Sequence, residues 1–349
     1  MDTISFDDDL NQEWFKYISV SDTDTELMST TNSDHYTAPI AELENRNIAQ
    51  PHCTPIIIST KTKIVYLNVG VNLFDRFWDT PMISYDSFEE GIIKKQIKFN
   101  FQNKEEVKVF EEKIKEQAFP TYVKILNQFD TPSGRVQFKD VRKVDIGISK
   151  NDILKAKNKD KSAFYNCFVF IYRIKNGDKF KEVHIKMFNS GKIEIPGIRD
   201  ESIIDILIGH IIRLLQKHYI DTVIQEKREM RETILVNSGF KCNYYINRDA
   251  LFTILKTKYN IKCSYDPCSY PGIQCKYKLP NVDVSFMIFR TGSVLIVGKC
   301  NDTQLYEIYE FIKQIFNDEI NSIYESSCMD KPKVVKDLSQ KKIRRILLF

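Results

Sequence analysis

The sequence predicts an α+β protein whose antiparallel strands fall into two similar groups, each followed by a long helix. Three observations predict it. A strand–turn–strand pattern recurs at an offset of 101 residues. Each copy precedes an apolar run at helical spacing. The 349 residues are 42% hydrophobic and 28% charged, which is ordinary for a globular chain with a sizeable core.

The first 50 residues stand apart. They carry eleven Asp/Glu against Lys16 and Arg46, and they are rich in Ser, Thr and Asn. That composition predicts a disordered acidic leader over 1–50, with an amphipathic patch at Trp14, Phe15 and Ile18. The leader has no basic-then-apolar signal pattern, and no run of eighteen uncharged apolar residues follows. A soluble intracellular chain without membrane partners is expected.

Residues 55–125 predict a small α+β extension. Ile56-Ile57-Ile58 and Ile64-Val65-Tyr66-Leu67 have strand character. Val107, Phe110 and Ile114 share one face of a helix over 105–117.

The informative region is 135–325. His184-Ile-Lys-Met-Phe188-Asn-Ser-Gly191-Lys-Ile193-Glu-Ile195-Pro-Gly197 aligns with Ser285-Phe-Met-Ile-Phe289-Arg-Thr-Gly292-Ser-Val294-Leu-Ile296-Val-Gly298. Each segment predicts a hairpin with a tight turn at Ser/Thr-Gly. The helix after the first hairpin presents Ile204, Leu207, Ile208, Ile211 and Leu215, and the second presents Leu305, Ile308, Ile312 and Ile315. The same offset pairs Ile153-Leu154-Lys155 with Ile254-Leu255-Lys256. Two units follow, 135–230 and 231–325, then a basic tail over 326–349. Two such units can fuse edge to edge into one curved sheet with an open face, or stay separate domains.

Charge and cysteines narrow the chemistry. The net charge is +4 overall, yet the part beyond residue 50 is strongly basic. A basic body suits a polyanion, and it suits a merely solvated surface as well. The eight cysteines include no C-x-x-C pair. Cys263, Cys268 and Cys275 cluster, but their spacing matches no common zinc knuckle. Free thiols in a reducing compartment are expected, with no metal or cofactor. The chain lacks G-x-x-x-x-G-K-[ST], G-x-G-x-x-G and H-E-x-x-H, so an enzyme is not expected.

Tyr265-Asp-Pro-Cys-Ser-Tyr270-Pro-Gly resembles a stretch in the second repeat of the TATA-box-binding protein family. Ile288-Phe289-Arg-Thr-Gly292-Ser and Phe188-Asn-Ser-Gly191-Lys192-Ile resemble that family's two hairpins. The resemblance covers 135–320 and implies a divergent member of a kind found in large DNA viruses. It implies a saddle of two pseudo-symmetric repeats, one curved antiparallel sheet with helices on the convex face. The N-terminal extension would lie outside that saddle. It also implies a transcription initiation factor that binds and bends A·T-rich promoter DNA in the minor groove and recruits a TFIIB-like factor and RNA polymerase. Localisation would be the nucleus, or a viral factory or virion. Retention of the fold as a protein-interaction module without DNA binding is the competing expectation.

The resemblance assigns wedge roles to Phe188, Phe289 and Tyr270. The fourth wedge falls by strict alignment on Cys167, with the aromatic Phe168 beside it, and Phe168 is the expected ring. Arg173, Lys192, Arg199 and Lys276 match basic positions expected at phosphates. Asn237 lies near a base-contacting Asn, Leu295 and Val297 complete the expected DNA surface, and Asp266 is the remaining acidic partner contact. Glu194 and Pro196 depart from the pattern. A carboxylate there would repel phosphate, so the first repeat is expected to contact DNA less well than the second.

Overall fold

The strands expected at 56–58 and 64–67 form one continuous strand, β1 (Ile57–Tyr66), and it lies in the middle of the sheet. The computed structural model describes residues 52–131, 137–154, 166–177, 179–279 and 282–325. The leader with its Trp14 patch and the tail over 326–349 lie outside the described residues. The described residues fall in one unit, Gln50–Phe349.

Twelve strands form one sheet, and every ladder in it is antiparallel. They are β1, β2 (Gly91–Phe101), β3 (Thr121–Asp130), β4 (Phe138–Gly147), β5 (Cys167–Asn176), β6 (Lys179–Phe188), β7 (Lys192–Ile198), β8 (Glu232–Lys241), β10 (Lys262–Ser264), β11 (Ile273–Leu279), β12 (Val282–Ile288) and β13 (Ser293–Gly298). β9 (Tyr245–Ile246) pairs separately with β14 (Tyr324–Glu325). The helices are α1 (Leu73–Asp79), α2 (Lys104–Lys115), α3 (Lys150–Leu154), α4 (Ser202–Gln216), α5 (Arg248–Thr257), α6 (Asp302–Asp318) and α7 (Ile320–Ile323).

The sheet order is β10-β11-β12-β13-β8-β1-β7-β6-β5-β2-β4-β3. Outward from the β1/β8 seam, the two halves read β1, β7, β6, β5, β2 and β8, β13, β12, β11, β10. In both, the first strand lies at the centre, then the fifth, fourth, third and second. The seam is an antiparallel ladder that sets Thr60 opposite Asn237 and Lys61 opposite Val236. The fold is thus the saddle-like α+β class, one large curved antiparallel sheet with helices.

The boundary expected at 135 has no counterpart in this order. β1 and β2 of the supposed extension hydrogen-bond inside the sheet, with β1 held between β7 and β8. What is added to the first half is the run α2, β3, β4 and α3, inserted between its second and third strands. That insertion also corrects one pairing in the sequence. Leu154 ends α3, whereas Leu255 lies in α5, which follows the first strand of the second half. The positional counterpart of α5 is α1, and both start on an asparagine cap, Asn72 and Asn247.

Period-two burial explains the two faces. Ile185, Met187, Ile193 and Ile195 point into one apolar cluster with α1, α2 and α4. Val284, Phe286, Ile288, Val294 and Ile296 point into a second with α5, α6 and α7. The long helices match expectation, with Ile204, Leu207, Ile208, Ile211 and Leu215 buried on α4 and Leu305, Ile308, Ile312 and Ile315 on α6. α6 opens on a capping box between Asn301 and Gln304. The intervening strand residues face away from these helices.

Candidate nucleic-acid interface

The helix-free face collects most of the sequence-predicted residues, because strand alternation puts them there. Val294 and Ile296 are buried with the helices, so Leu295 and Val297 project to the other side. Met287 follows Phe286 in the same way. Phe289 comes directly after β12, in a turn closed by Gly292 N–H donating to the Phe289 carbonyl at 3.0 Å. Gly292 has φ +76°, and a Cβ there would sit 2.6 Å from the Tyr244 carbonyl oxygen. The first half repeats the turn, with Gly191 N–H on the Phe188 carbonyl and φ +82°. Glycine in both hairpins is therefore a backbone requirement.

Tyr270 and Phe289 meet edge to face, ring centroids 5.9 Å apart, and both are half-buried. The Tyr270 hydroxyl lies 3.6 Å from the Met287 sulfur. A Cβ on Gly272 would approach a Phe289 ring carbon at 3.0 Å and a Tyr270 ring carbon at 3.1 Å, so a bare glycine leaves room for both rings.

The first half lacks this pair. Phe188 is half-buried, and the Lys192 ammonium lies 5.3 Å from its ring centroid. The residue opposite Phe188 in the β5/β6 ladder is Cys167. Phe168, expected as the fourth wedge, points the other way. It is 1% exposed and packs edge-on against Phe77 of α1 at 5.7 Å. The reason is the pleat: with Phe170 and Tyr172 in the core, Phe168 shares their face and Cys167 does not.

Arg173 is also corrected. It lies at 6% exposure, and its guanidinium donates to the backbone carbonyls of Tyr85, Glu89 and Ser87 while covering the Phe180 ring at 5.0 Å. It clamps the loop that leads into β2 and has no free edge for a phosphate. Lys192, Arg199 and Lys276 remain at the surface, Arg199 and Lys276 exposed.

Asn237 sits at the seam. Its Nδ2 donates to Thr60 Oγ1 at 2.9 Å, and its Oδ1 is buried without a hydrogen-bond partner. Sequence reasoning misses Thr60, because in the chain β1 reads as part of the extension. Glu194 does face the helix-free side, but it is not alone: Lys186 Nζ lies 3.1 Å away. Farther out, Lys94 binds Asp152 of α3 at 2.8 Å, and Glu182 accepts the Lys150 backbone N–H at 3.0 Å. Glu182 alternates with Val183, so α3 lies against the helix-free side of the first half. No sequence signal marks this, since α3 packs through polar groups. Asp145, beside Lys143, has its carboxyl pushed above the usual range by burial.

Asp266 is exposed on the loop before β11. Its carboxylate accepts the Cys268 N–H at 3.0 Å and is held below the ordinary carboxylate range by the Ser269 hydroxyl. The described residues contain no group of three or more His, Cys, Asp or Glu placed to hold a metal ion. No described helix is long and apolar enough to cross a membrane.

The fold and this face define a saddle-type protein with an apolar, aromatic-bearing surface in its second half. Residues 240–318 match the family model for transcription factor TFIID, or TATA-binding protein. The matched span runs from the end of β8 to the end of α6, all in the second half. A TATA-box-binding protein-like protein of Acanthamoeba polyphaga mimivirus is 25% identical over 189 residues, 47% of this chain and 51% of the relative. The chain thus spans about half the length of that relative. The solved TBP of Methanococcus jannaschii is 14% identical, with a TM-score of 0.38 over 76% of this chain and 99% of its own. The chain is thus similar to TATA-binding proteins, most plainly over 240–318 in its second half.

Proposed function

We propose that the helix-free face binds A·T-rich duplex DNA in the minor groove, bends it, and so marks a promoter for a TFIIB-like factor and RNA polymerase. The observation that carries this reading is the Tyr270–Phe289 pair, two rings on the side of the sheet away from the core. An apolar ring can replace the stacking lost when a base step opens, and flexible pyrimidine–purine steps open at least cost. This wedge mechanism is taken from the TATA-binding protein family and is assigned here to the two rings. The half-buried Leu295 offers apolar contact to groove edges that carry few donors, while Val297 is buried and adds little contact area. Asn237, with a free acceptor, supplies a polar contact at the seam. Lys192, Arg199 and Lys276 neutralise phosphates. The proposal includes no covalent chemistry. Asp266, on the exposed loop beside Tyr270, faces the TFIIB-like partner.

The two halves are proposed to act unequally. The first half offers Phe188 without a second ring, an internal Lys186–Glu194 ion pair, and α3 over the outer strands. The same features favour a second reading, a protein-interaction module that has lost DNA binding. Gel shift with A·T-rich duplexes, together with end-to-end fluorescence transfer for bending, separates the two. Retarded and bent duplex with wild type, weakened by Phe289→Ala, supports the first. Failure to bind any duplex from a randomised pool selects the second.

A further inference from the structure

The loop that carries Asp266 and Tyr270 has a cysteine at each foot. Cys263 of β10 stands directly opposite Cys275 of β11 in an antiparallel ladder. Opposed residues in such a ladder have Cα atoms about 4.5–5.5 Å apart, within the roughly 4.4–6.8 Å that a disulfide spans. Their side chains project to the same face of the ladder, and the Cys263 thiol also lies 4.0 Å from the Phe252 carbonyl oxygen. Cys275 is 1% exposed, whereas Cys263 is partly exposed, so one thiol is reachable and the other stands behind it. The adjoining Cys275 thiol, with the nearby Lys256 charge and against the effect of burial, holds the Cys263 thiol below the ordinary thiol range. The same interaction, with burial, raises Cys275.

A second opposed pair gives the internal contrast. Cys53 and Cys242 bridge in the same antiparallel sense, but both are buried. Burial pushes Cys53 up to about 11 and raises Cys242. That pair has proximity without a thiolate or access.

We propose that Cys263 and Cys275 form a thiol–disulfide exchange site whose substrate is a low-molecular-weight disulfide of the glutathione class. The Cys263 thiolate attacks one sulfur of the small disulfide, forming a mixed disulfide and releasing one small thiolate, which takes a proton from water. Cys275 then gives its proton to solvent and attacks the Cys263 sulfur. The internal disulfide forms and the second small thiolate leaves. Two protein thiols are oxidised and one small disulfide is reduced to two thiols. The cross-link closes the base of the loop over 264–274 and restrains Tyr270. That consequence for binding, unlike the chemistry, rests on the DNA reading.

The test uses the full chain, glutathione disulfide, quenching by alkylation and peptide mapping. The expected product links Cys263 to Cys275, while Cys53 and Cys242 resist alkylation until the chain is unfolded. Cys275→Ser should accumulate the glutathione adduct on Cys263, Cys263→Ser should leave Cys275 unmodified, and Cys268→Ser should behave as wild type, each checked for native circular dichroism. A folded chain in which Cys268 alone reacts, or in which Cys263 links to Cys268, overturns the proposal. Oxidised wild type should release an A·T-rich duplex several-fold more slowly than reduced, with no such slowing in oxidised Cys275→Ser, which carries the mixed disulfide but no link. If the link forms but neither state binds duplex, the site stands and the DNA reading fails. If duplex is bound but no link forms, the DNA reading stands and the site fails.

Discussion

Tyr270 approaches Phe289 edge to face at 5.9 Å, on the side of the second half that no described helix covers. The two come from different segments, a loop before β11 and the turn after β12, and Gly272 leaves the space between them. Replacing either ring by alanine should weaken duplex binding by about 1–3 kcal/mol, the scale of aromatic stacking on a base. Phe188→Ala should cost less, because among the described residues no second ring stands beside it. Equal losses from all three, read by gel-shift titration, would argue against unequal halves.

Phe168→Ala should act on stability and not on recognition. The ring is wholly buried against Phe77 and Phe170. Its truncation should cost about 3–5 kcal/mol of unfolding free energy, seen as a lower urea midpoint. Duplex affinity of the fraction that remains folded should be unchanged.

Arg173→Ala should likewise destabilise, by roughly 1–3 kcal/mol, since it strips the carbonyls of Tyr85, Ser87 and Glu89 of their donor. The salt dependence of duplex binding should keep its slope. Lys276→Ala and Lys192→Ala should instead flatten that slope, by about one unit for each phosphate no longer neutralised.

Lys95 provides a pH test. It is buried over the Phe77 ring, its ammonium reaching the Thr80 carbonyl at 3.2 Å, and burial lowers it from 10.5 to about 8. Between those values the unfolded chain holds a proton that the folded chain has lost. Stability from this group therefore rises with pH across that window and is lowest below pH 8. Lys95→Met removes the dependence. Its urea-midpoint advantage over wild type should shrink by the equivalent of roughly 3 kcal/mol from pH 8 to 10.5. Parallel pH profiles for the two proteins would remove the argument.

Glu194→Gln should raise duplex affinity by about 0.5–1 kcal/mol at low salt by removing a negative charge from the proposed groove side. It also frees Lys186 from this carboxylate. An unchanged affinity would indicate that the first half stays clear of the duplex.

The hairpins and the long helices are readable in the chain because their information is local. Phe188/Gly191 and Phe289/Gly292 each encode a strand end and a left-handed turn within four residues, and α4 and α6 announce themselves by apolar spacing. β1 is misread for the opposite reason. Its partners, β7 and β8, lie more than a hundred residues downstream, and its Thr60 and Thr62 resemble any polar strand. The inserted α2, β3, β4 and α3 hide the correspondence between α1 and α5, since an offset that holds for the hairpins fails upstream of an insertion.

The sequence by itself determined the strand and helix content, the matching hairpins and which aromatics could serve as wedges. The tertiary structure decided which of them do face outward. A residue's face depends on strand register, and a shift of one residue exchanges core for surface. That is why Cys167 and not Phe168 lies opposite Phe188; Arg173 alternates to the same side as Cys167 and is instead taken up by the carbonyls of a loop that no local signal in the chain brings there. It is also why a pair of thiols 12 positions apart in the chain, Cys263 and Cys275, ends up side by side.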